Sequence, residues 1–197
     1  MGDVYVIGTS CTAFGKRPGD TFRDLAREAY LDVLADARAE PGAIEQAWFG
    51  NCGMGSFGQA CIRGQVVFTP LVREGLFPER VPMINVEGGC ATASMAFHGA
   101  FKDVASGESG LSLAIGVEKT FSDDPSLTQS IFDGGIDQMT PEEWHAYYAE
   151  RGEEAGKPFD AKAGGGTIFM DTYAMQAAWH MKRWGTTQAQ IAAGASK

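Results

Sequence analysis

The residues best suited to chemistry lie together in Asn85-Val86-Glu87-Gly88-Gly89-Cys90-Ala91-Thr92-Ala93-Ser94. The apolar run from Val81 to Val86 reads as a strand, the two glycines as a tight turn, and Met95, Ala96, Phe97 and Ala100 as the start of a helix. A thiol on the first turn of a helix sits where unpaired N–H groups and the macrodipole favour negative charge. Such a position lowers a thiol's pKa and frees the thiolate as a nucleophile. Gly88 and Gly89 let the backbone turn sharply and leave room for a substrate beside the sulfur. The bland alternative is a buried structural cysteine next to a turn. The strand–turn–helix pattern favours the reactive thiol.

The elements that must position Cys90 follow from periodicity. Val4 to Gly8 reads as a first strand, followed by a polar Gly/Pro-containing loop to Gly19. Thr21 with Asp24 resembles a capping box, and Leu25, Ala26, Ala29, Val33, Leu34 and Ala37 recur at helical spacing, so 22–38 is expected to be an amphipathic helix. Pro41-Gly42 stops it, and Ile44 to Phe49 reads as a second strand, running into Gly50-Asn51-Cys52-Gly53-Met54-Gly55. Residues 59–76 look helical, with Pro70 marking a kink or break. Strand 81–87, a helix from Cys90 to about Ala105, a turn at Gly107 to Gly110 and a strand from Leu111 to Val117 complete a β-α-β-α-β-α-β alternation. That alternation implies an α/β fold, a largely parallel sheet covered by helices on both faces. Ligands gather at the carboxyl ends of strands in such sheets, and Cys90 lies just beyond one.

The expected organisation is a core over 1–120, an excursion over 121–167, and a helical return segment over 168–197. The excursion is polar and rich in Gly, Asp and Pro, with one short helix expected from Pro141 to Arg151, and suits a lid or a surface lining a site. Ile168 to Trp184 is helical, and Thr187 with Gln190 opens another helix that the chain leaves at Lys197, so the chain is expected to be cut short.

Hydrophobic residues make up 44% and charged residues 21%, ordinary for a soluble globular protein. With 16 basic and 25 acidic side chains the formal charge is −9, which argues against nucleic acid or an anionic membrane as the main partner. There is no membrane-length apolar run and no signal-peptide pattern, so a cytoplasmic location is expected. Cys11, Cys52, Cys61 and Cys90 form no C-x-x-C pair, so no metal site is expected and the thiols are taken as reduced.

Val86-Glu87-Gly88-Gly89-Cys90-Ala91-Thr92-Ala93-Ser94 resembles the nucleophile segment of thiolases, most closely the sterol-carrier-protein-type acetyl-CoA acetyltransferases. Ala114-Ile115-Gly116-Val117-Glu118-Lys119, Tyr173-Ala174-Met175, Trp184-Gly185-Thr186-Thr187 and Ile44 to Asn51 are similar to further segments of that subfamily, so the likeness spans essentially the whole chain. The resemblance implies a thiolase-like layered sheet and an acyl exchange in which Cys90 attacks a 3-oxoacyl-CoA, holds the acyl group as a thioester, and passes it to coenzyme A, the co-substrate. The N–H of Cys90 would serve as an oxyanion donor. The loop after the second strand would help line the site, making Asn51, Gly53, Met54 and Gly89 candidate substrate-binding residues beside the catalytic Cys90.

The resemblance also sets what should lie elsewhere. The family's Gly-His-Pro motif and its second acid/base cysteine belong to its other half, and neither motif occurs here. His98 stands about two helical turns from Cys90, too far to reach the sulfur, and His145 and His180 fall in later segments. An incomplete enzyme is therefore expected, with a homodimer, a complementary C-terminal half or a small OB-fold partner as companions. Ketoacyl synthesis, retro-aldol cleavage and a non-catalytic acyl-CoA-binding subunit are the alternatives within the same fold. Gly164-Gly165-Gly166 is read as a flexible turn rather than a phosphate cradle, and Lys162 and Arg183 as surface charge rather than CoA ligands. Asp123, Asp124, Glu142 and Glu143 are expected to be solvated. Trp144, Tyr147, Tyr148, Phe159, Phe169 and Trp179 suit an acyl pocket and core packing equally.

Overall fold

A computed structural model describes residues 2–161 and 167–196, so Lys162 and the Gly164–Gly166 run lie outside the described residues. The chain divides into two compact units, Met1–Ile131 and Phe132–Lys197.

The first unit is built on three parallel strands, β1 (Gln46–Gly50), β2 (Met83–Val86) and β3 (Ser112–Gly116), in the order β2-β1-β3. Ala47 pairs with Met83 on one side and Leu113 on the other, and Gly50 pairs with Val86 and Gly116. Alternation along β1 sends Ala47 and Phe49 to one face and Trp48 to the other. Helices α1 (Phe22–Ala37) and α2 (Arg63–Arg73) cover the Phe49 face, where Tyr30, Phe49, Phe68 and Phe77 form an edge-to-face cluster with centroids 4.8–6.3 Å apart. Helix α3 (Thr92–Ser106) covers the other face, and only a glycine at position 99 lets it approach, since a Cβ there would lie 2.3 Å from the Trp48 ring. The Trp48 indole donates to Asp103 on the same helix at 2.6 Å. This gives the expected α/β layering.

The capping box is real: the Asp24 N–H donates to Thr21 Oγ1 at 3.2 Å and the Thr21 N–H to the Asp24 carboxylate at 2.8 Å. Pro70 does not break its helix. It removes the bond that the Val66 carbonyl would have received, and the Arg23 guanidinium of α1 donates to that carbonyl instead, at 3.1 Å.

Val4 to Gly8 joins no strand ladder, contrary to expectation. The residues just after it anchor to α1, with the Thr9 N–H donating to Asp36 at 2.8 Å and the Ser10 hydroxyl to the Ala29 carbonyl at 2.7 Å. A cleft of about 600 Å³ separates it from β3, with Val33, Phe97 and Phe101 on its walls. Pairing needs a neighbouring edge about 4.8 Å away, so local β-propensity is not enough.

In the second unit, α5 (Pro141–Ala155) and α6 (Ile168–Trp184) pack together, followed by α7 (Gln188–Ala195). The expected helix at 141 runs one turn longer, and a further helix, α4 (Pro125–Asp133), forms within the segment expected to be loop, across the boundary between the units. Trp144, Tyr148 and Phe159 cluster with centroids 5.3–6.2 Å apart, while Tyr147 and Trp179 are exposed. Burial opposes ionisation of Asp171, but the Lys157 ammonium and the Asp160 N–H outweigh it and hold the carboxyl below its usual range. Among the described residues no helix is long and apolar enough to cross a membrane, and no group of His, Cys, Asp and Glu is arranged to hold a metal ion.

Candidate active site

Connections set the place of the site before any side chain does. The chain leaves β1 toward the α2 face and leaves β2 toward the α3 face, so a crevice opens between their carboxyl ends, where open α/β sheets take ligands. Two segments meet there: the loop Asn51–Phe57 from β1 and the turn Glu87–Ala91 from β2.

Cys90 is exposed in a short 3₁₀ turn, Gly89–Ala91, that leads directly into α3. Gly89 has φ +56°, in the left-handed region that a side chain would resist, and the Ala91 N–H closes the turn onto the Gly88 carbonyl at 3.0 Å. Thr92 opens α3 with its hydroxyl turned inward. It receives the Gly88 N–H at 2.9 Å, donates to the Gly89 carbonyl at 2.7 Å, and lies 2.8 Å from the Cys52 sulfur. Cys52 thus bridges the two segments, its sulfur also 3.4 Å from the Gly89 carbonyl.

The β1 loop is tied down from three sides. Asn51, 1% exposed, donates through Nδ2 to the Val117 carbonyl at 2.6 Å and accepts the Met54 N–H on Oδ1 at 2.9 Å. Glu118, just past β3, accepts the Cys52 N–H and, at 3.0 Å, the Gly53 N–H. Burial pushes the Glu118 carboxyl up, and those two N–H groups and the nearby Arg63 charge draw it back only in part. Arg63 donates to the Asn51 carbonyl at 2.7 Å and to Glu87 at 2.6 Å, tying the β1 loop to the β2 turn. It follows Ile62, whose φ of 47° is costly for a β-branched residue and re-aims the chain at the head of α2.

The structure therefore brings all five expected positions together in one loop pair and divides them by exposure. Cys90 and Gly89 are open to solvent, whereas Asn51, Gly53 and Met54 are buried with their polar groups engaged inside the protein. Those three support the crevice. His98 is exposed on α3, His145 stacks on Trp144 at 3.9 Å, and His180 lies 4.6 Å from the Trp184 ring. Glu118, Arg63, Thr92 and Cys52 went unrecognised as site residues. A carboxylate immediately after a strand end was a usable signal for Glu118; nothing in the local pattern marks the other three.

A three-stranded parallel sheet with helices on both faces carries an exposed cysteine just ahead of a crossover helix, and the comparisons define the family. The description "Thiolase, N-terminal domain" matches residues 4–148. The chain is 32% identical over 194 residues to an acetyl-CoA acetyltransferase of Methanothermobacter thermautotrophicus, covering 98% of this chain and 43% of that protein. It is 29% identical over 191 residues to the acetyl-CoA acetyltransferase of Methanocaldococcus jannaschii, covering 97% and 42%. It is 34% identical over 119 residues to sterol carrier protein 2 of Rattus norvegicus, covering 59% and 20%. The chain belongs to the thiolase family, in its N-terminal domain. It spans less than half the length of these relatives.

Proposed function

We propose that this chain carries the nucleophile of a thiolase-type acyltransferase that exchanges acyl groups between 3-oxoacyl-CoA and coenzyme A. One observation carries the reading: Cys90 stands exposed in the Gly88–Gly89 turn, at the crevice end of the sheet and at the head of α3, in a chain of this family. The Cys90 thiolate adds to the ketone carbon of the substrate. The bond between that carbon and the α-carbon then breaks, its electron pair leaves with the acetyl-CoA fragment, and that fragment takes up a proton. Coenzyme A, as its thiolate, attacks the acyl–Cys90 thioester and regenerates the Cys90 thiolate. Two modest barriers replace one high one.

The proton-transferring groups are assigned to a complementary C-terminal half, since no Gly-His-Pro motif occurs in this sequence. A homodimer, with or without an OB-fold companion, operating on soluble CoA thioesters in lipid metabolism of the cytoplasm, completes the proposal. The carboxyl end of a parallel sheet suits a small-molecule thioester.

The test is direct. The protein, together with its complementary C-terminal half, is incubated with acetoacetyl-CoA, quenched in acid, digested and mapped by mass spectrometry. An acetyl thioester on the peptide containing Cys90, absent from Cys90→Ser, is expected. An unmodified Cys90 peptide, with iodoacetamide failing to alkylate it in parallel, removes the covalent role.

A further inference from the structure

We propose that Thr92 is the positioning residue of the Cys90 turn, and that Cys52 acts as its hydrogen-bond donor rather than as a second nucleophile. This rests on the Cys90 reading above and assigns the groups that keep the sulfur in register.

Gly88 and Gly89, with φ −162° and +56°, are the two residues of the turn with the greatest intrinsic freedom, and they directly precede the nucleophile. A nucleophile on so loose a lead-in needs an external tether if the attacking atom is to keep its line of approach. Thr92 supplies it with one oxygen. A hydroxyl has one proton to give and two lone pairs to receive with. The proton goes to the Gly89 carbonyl at 2.7 Å and one lone pair takes the Gly88 N–H at 2.9 Å. The remaining lone pair faces the Cys52 sulfur at 2.8 Å; that S–H has two acceptors in reach, the Thr92 oxygen and the Gly89 carbonyl at 3.4 Å, and the nearer oxygen is the one assigned to it here. All three capacities are filled, on an atom within a residue 6% exposed.

The contact with Cys52 extends the tether to the frame. The Cys52 N–H is held by Glu118 beyond β3, and the methyl of Thr92 packs so closely on the end of β1 that a Cβ at Gly50 would lie 2.9 Å from it. The turn from β2, the loop from β1 and the end of β3 therefore lock through the Thr92 side chain. The methyl alone would fill the space; the hydroxyl is what sets the two glycines.

Thr92→Val keeps the shape and removes the hydroxyl, whereas Thr92→Ser keeps the hydroxyl and removes the methyl. In native-state amide exchange by NMR, the Gly88 amide is expected to exchange at least about tenfold faster in Thr92→Val than in wild type, with Thr92→Ser close to wild type, because only the valine variant leaves that N–H without an acceptor. Acylation of Cys90 by acetoacetyl-CoA should fall about 10- to 100-fold in Thr92→Val at saturating substrate, while alkylation by iodoacetamide changes by no more than about threefold, since a small reagent does not require a fixed line of attack. Thr92→Ser should restore acylation, and Cys52→Ala should show a smaller loss in the same direction. An unchanged Gly88 exchange rate in Thr92→Val overturns the tether whatever the activity. Equal losses in the valine and serine variants also overturn it, because they would make the methyl packing the cause. A wild-type protein that is not acylated at all defeats the proposed function instead, and the exchange measurement still decides the role of Thr92.

Discussion

Asn51 offers the sharpest quantitative check on how the crevice is supported. The side chain is 1% exposed, and both ends of its amide are engaged, Nδ2 with the Val117 carbonyl and Oδ1 with the Met54 N–H. Asn51→Ala leaves one buried carbonyl and one buried N–H without partners, at about 1–3 kcal/mol each. Water reaching the loop recovers part of that cost, so a loss of about 3 kcal/mol is expected, a large fraction of the total stability of a domain. Asn51→Asp has the same shape and a different consequence. One oxygen still accepts from Met54, but the other now faces the Val117 carbonyl, and a carboxylate there is both desolvated and repelled. Its folded pKa is therefore raised above the ordinary value of about 3.9. A group with a raised folded pKa contributes stability below its unfolded pKa and loses it as pH rises through the folded one. Asn51→Asp should thus approach wild type near pH 4 and fall to or below Asn51→Ala at pH 8. Urea unfolding followed by circular dichroism at both pH values measures each quantity. A loss below about 0.5 kcal/mol for Asn51→Ala, or a pH-independent Asn51→Asp, refutes the account of the buried amide.

Gly99→Ala places a methyl 2.3–2.5 Å from three Trp48 ring atoms and must push α3 off the sheet. A net loss of about 1–2 kcal/mol is expected in the same unfolding assay, the overpacking of about 1–3 kcal/mol being partly offset by the better helix propensity of alanine. Tyr30 is enclosed and donates to the Leu76 carbonyl at 2.8 Å, and burial raises its phenol to about 12. Its contribution to stability is present below the unfolded tyrosine value and disappears as pH rises through about 12, so ultraviolet titration should show a phenol ionisation near pH 12 that Tyr30→Phe abolishes.

How much was legible follows element by element. Helix α1 is encoded locally, by a capping box and an apolar stripe that recurs every three or four residues, and the structure agrees with it to within a residue. The Cys90 turn was equally visible, because two glycines between an apolar strand and a run of small residues have few other structures to form. Strand formation is not local: Val4 to Gly8 has the composition of a strand, yet the residues that follow it, Thr9 and Ser10, bond to the Asp36 carboxylate and the Ala29 carbonyl of α1 rather than to a strand edge. The helix continues through Pro70 for a similar reason: the acceptor it frees, the Val66 carbonyl, is satisfied by an arginine 43 residues away in sequence, on another helix. The helix at 125–133 was hidden by the polar composition of the segment around it.

The order of residues along the chain determined the alternation of strands and helices, the family, and the identity of the cysteine at the head of α3, because each of these is written in neighbours a few positions apart. Tertiary structure alone decided that Asn51 and Met54 face inward, that Glu118 clamps the β1 loop, and that Thr92 and Cys52 meet across a gap of 40 residues. Local periodicity states which face of an element is apolar. Only the packing of the sheet determines which loops share a crevice, and there a single hydroxyl or amide has a particular partner to bind.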